Sequence, residues 1–328
     1  MIISKTPLRA SFFGGGTDFS AYYENSSLGY GTVVSTALDM YVYITVNKKF
    51  DDMVRVVYSG NELVSHVDEV KHNIIREAMK IVGIERGIEI IYMADIPLSS
   101  AGVGLASSSA LAVGVLNALH AYKGEFVSPE TLAREACEIE INRLGQRIGI
   151  QDQFAVAHGG INQYKFFNDG SVSVAPVCCK KETMDRLKSN LLMFYTGTTR
   201  DSRKILDEQS DTILDKTKML DDLVLTTNRA IDALYQDNPD FWGTELDRTW
   251  AIKKKFAGGV TNPMIDDMYE RAKNAGALGG KILGAGGGGF LLCYVPKEKQ
   301  NDVKNALSDF SCMDFKCCPE GSRIIFVN

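Results

Sequence analysis

Pro97-Leu98-Ser99-Ser100-Ala101-Gly102-Val103-Gly104-Leu105-Ala106-Ser107-Ser108-Ser109-Ala110 carries no charged side chain, and its glycines, alanines and serines leave the backbone bare. Bare N–H groups can close on an anion, and a helix starting just downstream aims its positive dipole end at the same point. The stretch therefore reads as a phosphate cradle. The helix is predicted over residues 109–122: Leu111, Val115 and Leu119 recur at helical spacing, Ala112 and Leu116 lie beside them, and Gly124 stops it. The hydroxyls of Ser107 and Ser108 suit a phosphate oxygen or a metal, since Mg²⁺ is a hard cation that takes oxygen ligands. A plain serine-rich helix cap is the alternative reading of the same residues. A P-loop is excluded because G-x-x-x-x-G-K-[ST] does not occur; Lys281 is followed by Ile282.

Upstream, residues 1–58 read as β-rich. Tyr41-Val42-Tyr43-Ile44-Thr45-Val46 and Val54-Arg55-Val56-Val57-Tyr58 are β-branched and aromatic, bounded by Asp51-Asp52 and Gly60. A helix near 67–82 and a strand at 88–92 follow. Downstream, Ser128-Pro129 opens a helix that runs to about Leu144 and stops at Gly145. Residues 161–167 and 171–174 flank Asn168-Asp169-Gly170, a hairpin signal. The first domain is placed at residues 1–180. The second, 181–328, holds three or four helices over 200–275, punctuated by Pro239 and Asn262-Pro263. It closes with a strand at 290–295, a helix at 297–310 and strands at 314–318 and 323–327. Mixed rather than alternating elements give an α+β class.

A chain of 328 residues is long enough for two such domains. No apolar run approaches the roughly 18 residues that span a bilayer, so a membrane segment is not expected. Lys plus Arg number 36 against 41 for Asp plus Glu, a net charge of −5, which argues against nucleic acid as a partner; any anion must be met by a local pocket. Residues 1–7 show no secretory signal, so the cytoplasm is expected. Seven cysteines without a C-x-x-C pair suggest reduced thiols. His66, His72, His120 and His158 lack ligand spacing, which leaves the chemistry to carboxylates, hydroxyls and backbone.

Gly284-Ala285-Gly286-Gly287-Gly288-Gly289 matches G-x-G-x-x-G literally, but a strand follows it where a dinucleotide fingerprint needs a helix. It is either a ligand-facing loop or a glycine bend between strands. Glu140 shares a helical face with Ala133, Cys137 and Leu144, and a carboxylate on an apolar stripe requires a partner: a metal, or an arginine such as Arg143 or Arg147. Asp152 falls where a loop meets a helix, a position that helix capping alone would explain. Thr196-Gly197-Thr198-Thr199-Arg200-Asp201-Ser202-Arg203-Lys204 gathers hydroxyls and three cations suited to a phosphate, or is a solvated helix start.

Taken in order, residues 6–18, 104–110 and 281–289 resemble the three motifs of the GHMP small-molecule kinases, the group of galactokinase, homoserine kinase, mevalonate kinase and phosphomevalonate kinase. The likeness covers nearly the whole chain. It is strongest toward the D-glycero-D-manno-heptose 7-phosphate kinases, a subgroup that also resembles fucokinase domains, through residues 9–18, 195–200 and 279–290. The fold implied is a ribosomal protein S5 domain 2-like N-terminal domain and a ferredoxin-like C-terminal domain, with the active site between them. The resemblance implies ATP with Mg²⁺, the nucleotide held by Gly102, Gly104, Leu105, Ala106, Ser107, Ser108 and Ser109 with the glycine loop of Gly284, Gly286, Gly287 and Gly288. Ser108 and Glu140 would hold the metal. Asp152, in Asp152-Gln153-Phe154, would be the catalytic base, with Arg9 beside it. Asp18 would meet a sugar hydroxyl. Gly15 and Gly16 replace the Glu-His of galactokinases and make room for a larger sugar, and Arg200 would take a substrate phosphate. The expected partner is a small sugar phosphate, and the expected reaction is phosphorylation of the anomeric hydroxyl of heptose 7-phosphate to the 1,7-bisphosphate. A fucokinase- or galactokinase-like 1-kinase is the alternative; the other readings are a non-catalytic sugar sensor and a decarboxylase of the mevalonate diphosphate type, against which Thr17-Asp18 argues.

Overall fold

The computed structural model describes residues 1–96, 103–198 and 202–328. The N-terminal half runs β1 (Ile2–Phe13), α1 (Ser20–Tyr23), β2 (Tyr30–Lys48), β3 (Val54–Val57), β4 (Asn61–Val64), α2 (Asn73–Val82), β5 (Ile88–Ala94), α3 (Ser107–Tyr122), α4 (Pro129–Cys137), α5 (Gln151–His158), β6 (Ile161–Phe167) and β7 (Val172–Pro176). The C-terminal half follows as α6 (Lys181–Ser189), β8 (Leu191–Tyr195), α7 (Ser202–Asp211), α8 (Thr217–Tyr235), α9 (Phe241–Lys253), α10 (Pro263–Asn274), β9 (Gly279–Ile282), β10 (Phe290–Tyr294), α11 (Gln300–Ala306), β11 (Ser311–Asp314) and β12 (Arg323–Val327).

Two sheets result. The larger has the order β12-β1-β2-β5-β3-β4, with β6 and β7 continuing from β2; the smaller is β11-β8-β10-β9, antiparallel throughout. β2 serves two partners along its length, pairing residues 30–36 with β6 and 42–48 with β5. Helix α3 is apolar all round and lies against β1 and β2 with α2, α4 and α5 around it. It crosses β1 at Gly114, where a Cβ would stand 2.9 Å from Thr6 Oγ1. The core runs on between the halves: Trp242 of α9 meets the rings of Phe12 and Phe13 edge-on, at centroid distances of 5.0 and 5.1 Å.

The Asn168-Asp169-Gly170 hairpin and the Ser128-Pro129 helix start form as expected, the Ser128 side chain accepting from Thr131 N at 3.1 Å. Other elements differ. The region 67–82 divides into a 3₁₀ turn at Val67–Glu69 and α2. The helix expected to reach Leu144 regularly instead widens into a π-helical turn, Glu138–Arg143, around the inward-facing Glu140; such turns insert an extra residue and often mark functional positions. The region 297–310 shortens to a 3₁₀ turn and α11. The tail strand expected at 314–318 lies earlier, as β11, and β12 leaves the closing unit to pair with β1 in the first sheet.

Candidate active site

The register of β1 against β2 slips between Pro7 and Arg9 and again between Ser11 and Phe13, and such bulges re-aim side chains. Arg9, 4% exposed, there reaches the first turn of α5. Its Nε donates to Asp152 Oδ1 at 2.7 Å and its Nη2 to Oδ2 at 2.5 Å, a two-pronged pair, while Nη1 donates to the Gly104 carbonyl at 2.7 Å. The capping role for Asp152 is not realised. The residue before α5 is Ile150, no side chain caps the helix, and Asp152 turns its carboxylate to Arg9 instead.

Residues on either side of Asp152 serve two other carboxylates. Gln151 Nε2 donates to Asp18 Oδ2 at 3.0 Å, and Asp18 Oδ1 accepts from Gly16 N at 2.8 Å. Gln153 Nε2 donates to Glu140 Oε2 at 2.6 Å, where Ser109 Oγ donates at 2.8 Å. Arg143 and Arg147, the alternative partners for Glu140, pair with Glu138 and Glu77 and with Asp211. Ser109, expected at the nucleotide, spends its hydroxyl on Glu140. Burial raises both the Asp18 and the Glu140 carboxyls above the usual range; donors from Gly16 and Gln151 oppose the rise at Asp18, and the donors Ser109 and Gln153, with the nearby Ser108 hydroxyl, oppose it at Glu140.

The helix after the first-quoted motif begins at Ser107, earlier than expected. Its cap position is Ala106, held in the left-handed region at φ 61°, with no capping side chain. The serine hydroxyls are therefore not consumed as caps: Ser107 Oγ is buried without a partner, and Ser108 is exposed. The glycine loop joins β9 to β10, so it is a bend between strands that also packs backbone to backbone on this motif. A Cβ on Gly104 would stand 2.3 Å from the Leu283 carbonyl oxygen, and one on Gly284 would stand 2.4 Å from Gly104 Cα. Gly286 lines the cavity, whereas Gly287 N donates to Val260 O at 2.8 Å and Gly288 packs on Thr198. Thr196, expected to offer a hydroxyl to phosphate, donates it to Gly289 O at 3.0 Å. Gly102 and Arg200 lie outside the described residues.

These elements wall a cavity of about 880 Å³, whose lining includes Arg9, Gly15, Gly16, Asp18 and Asp152 together with Gly104, Leu105, Ala106, Ser107, Ser108 and Gly284. Its size suits small-molecule ligands. Two lysines not assigned from the sequence also line it. Lys253 donates to the carbonyls of Ile282 and Gly284, and burial, reinforced by Arg9 and opposed by Asp18 and Asp152, pushes its ammonium down to about 7. Lys281 donates to Ser11 O at 2.9 Å and Phe12 O at 3.1 Å, tying β9 to β1; burial, then Lys253 and Arg9, hold it well below the usual lysine range. A signal existed: Lys253 follows Leu246 and Trp250 on an apolar helix face, and Lys281 sits within a strand buried at every position.

The donor set fits Mg²⁺. Glu140 Oε1 is buried without a partner, the exposed Ser108 hydroxyl lies beside this carboxylate, and both are hard oxygens. No group of three or more His, Cys, Asp or Glu suited to a metal occurs among the described residues. No helix of the described residues is long and apolar enough to cross a membrane.

An arginine-gripped carboxylate and the uncapped N-terminus of α3 thus face one cavity, and likeness to known proteins places the chain among phosphotransferases with an alcohol acceptor. Residues 69–160 match the GHMP kinases N terminal domain and residues 230–311 the GHMP kinases C terminal family, together more than half of the chain, which belongs to the GHMP kinases. It is 28% identical to a D-glycero-alpha-D-manno-heptose 7-phosphate kinase of Campylobacter jejuni over 98% of each chain. It is 26% identical to a galactokinase of Pyrococcus furiosus, over 93% of this chain and 92% of that one. Among solved structures it is similar to a D-glycero-D-manno-heptose 1-phosphate kinase from Bacteroides thetaiotaomicron, with a TM-score of 0.80 at 23% identity over the whole of both chains.

Proposed function

We propose that the chain is an ATP-dependent sugar kinase that phosphorylates the anomeric hydroxyl of D-glycero-D-manno-heptose 7-phosphate to give the 1,7-bisphosphate. The observation that carries the reading is the Arg9–Asp152 pair, whose carboxylate keeps 24% exposure toward a cavity shared with the Gly104–Ser107 backbone. Asp152 orients the acceptor hydroxyl and takes its proton, while Arg9 stabilises charge on the transferring group; positioning and electrostatics dominate such transfers. The N-terminus of α3 and the bare backbone before it receive the nucleotide phosphates. Ser108 and Glu140 would hold Mg²⁺, which when bound neutralises charge on the phosphate oxygens. Asp18, fixed by Gln151 and Gly16, meets a sugar hydroxyl, and Gly15 and Gly16 leave room for a chain longer than a hexose. Arg200 is assigned to the substrate phosphate on its chemistry.

ADP release is measured with heptose 7-phosphate, fucose, mannose and galactose, and the phosphorylated position is read by NMR. The expected kcat/KM for heptose 7-phosphate exceeds the others by about tenfold or more, with Arg200→Ala narrowing the gap. A free hexose or deoxyhexose turned over better would overturn the assignment in favour of a fucokinase-like 1-kinase.

A further inference from the structure

The two oxygens of Glu140 have unlike surroundings. The residue is fully enclosed, yet both of its hydrogen bonds, from Ser109 Oγ and Gln153 Nε2, end on Oε2, and Oε1 has no partner. An orphaned carboxylate oxygen in the interior is destabilising, so a fold that doubles up on one oxygen and starves the other is arranged for something that arrives later. Gln153 is itself fully buried and immediately follows Asp152 on α5. One helical turn thereby fixes the orientation of Glu140 and carries the proposed base.

We propose that Gln153 is a positioning residue which, with Ser109, occupies Oε2 of Glu140 and so reserves Oε1 for the divalent cation. This rests on the assignment of Glu140 as a metal ligand made above. Only a donor can fill the place. A glutamate at 153 would set two carboxylates against each other, and a methionine of similar volume would keep the packing but release Oε2, letting the carboxylate turn. Partners that orient a metal ligand typically govern affinity by about 10- to 100-fold.

The test is Mn²⁺ binding to the enzyme–ADP complex, followed by electron paramagnetic resonance, for the wild type, Glu140→Gln, Gln153→Met and Ser109→Ala. The expected result is a Kd raised by about 10- to 100-fold in Gln153→Met and by a smaller factor in Ser109→Ala. A role in packing alone would lower the unfolding midpoint in EDTA and leave the Mn²⁺ Kd in place. Weakened binding in Glu140→Gln with an unchanged Kd in Gln153→Met overturns the proposal. An unchanged Kd in Glu140→Gln overturns the metal-ligand assignment instead. Should Gln153→Met not fold, Ser109→Ala decides by the same criterion, because it removes the other donor to the same oxygen.

Discussion

Arg9 binds both oxygens of Asp152 and, with its remaining nitrogen, the carbonyl of Gly104, so one guanidinium spans the proposed base and the proposed phosphate cradle. Asp152→Asn should fold and bind ATP while losing roughly 10²-fold or more in kcat. Near-normal turnover would end the assignment. Arg9→Lys cannot reproduce the fork, so it should lower kcat by about tenfold or more with a smaller effect on the ATP KM.

Glu140 carries a linked stability effect. Its folded carboxyl titrates above the ordinary 4.5, so the folded chain keeps the proton that the unfolded chain has already lost. Stability in EDTA therefore falls as pH rises from the ordinary carboxylate range through the raised value. Glu140→Gln should remove that fall and also abolish the Mg²⁺-dependent part of the stabilisation expected for the wild type with Mg²⁺ and ADP. Thermal melts across pH 4–8 in EDTA, repeated with Mg²⁺ and ADP, check both halves; a variant that melts lower than wild type yet still responds to Mg²⁺ would contradict them.

Lys253 has the opposite sign. The unfolded chain holds this proton up to about 10.5 and the folded chain only to about 7, so the wild type gains stability between those values as pH rises. Relative to Lys253→Met the gain should approach about 1.4 kcal/mol for each pH unit crossed. Urea midpoints from pH 6.5 to 9.5 measure it. Parallel curves for the two proteins would show that the ammonium is not displaced.

Gly15 and Gly16 separate room from backbone strain. A methyl on Gly15 would stand 3.6 Å from Gln151 Nε2 and 3.8 Å from Ser11 Oγ, ordinary contacts, so Gly15→Ala should fold normally and raise the sugar KM severalfold without changing the ATP KM. Gly16 has φ +106°, and Gly16→Ala should cost about 1 kcal/mol or more of stability. Equal unfolding midpoints for the two variants would refute the distinction.

What the sequence discloses is mostly local. Ser128-Pro129, the Asn168–Gly170 turn and the helix after the serine cluster are set by residues close in the chain, and they form where expected save that the last begins two residues early, at Ser107. Arg9, Asp18 and Asp152 are candidates by motif resemblance, and the fold brings them to the lining of one cavity. The buried lysines, the amide partners of Asp18 and Glu140, and the π-helical turn depend on what packs opposite, which no spacing encodes. Lys281 illustrates this: its meaning lies in the Ser11 and Phe12 carbonyls, more than two hundred residues away.

The pairing of β12 with β1 bears on the order in which the protein matures on the ribosome. Cys317 bridges to Leu38, Cys318 N donates to Ala37 O at 2.8 Å, Ser322 Oγ meets Thr6 Oγ1 at 2.8 Å, and Val327 lies opposite Ile2. The strand that carries Arg9 is translated well before β12, its partner on one side. Vectorial synthesis thus leaves this edge of the larger sheet open until residues 323–327 emerge, long after Arg9 itself has been made.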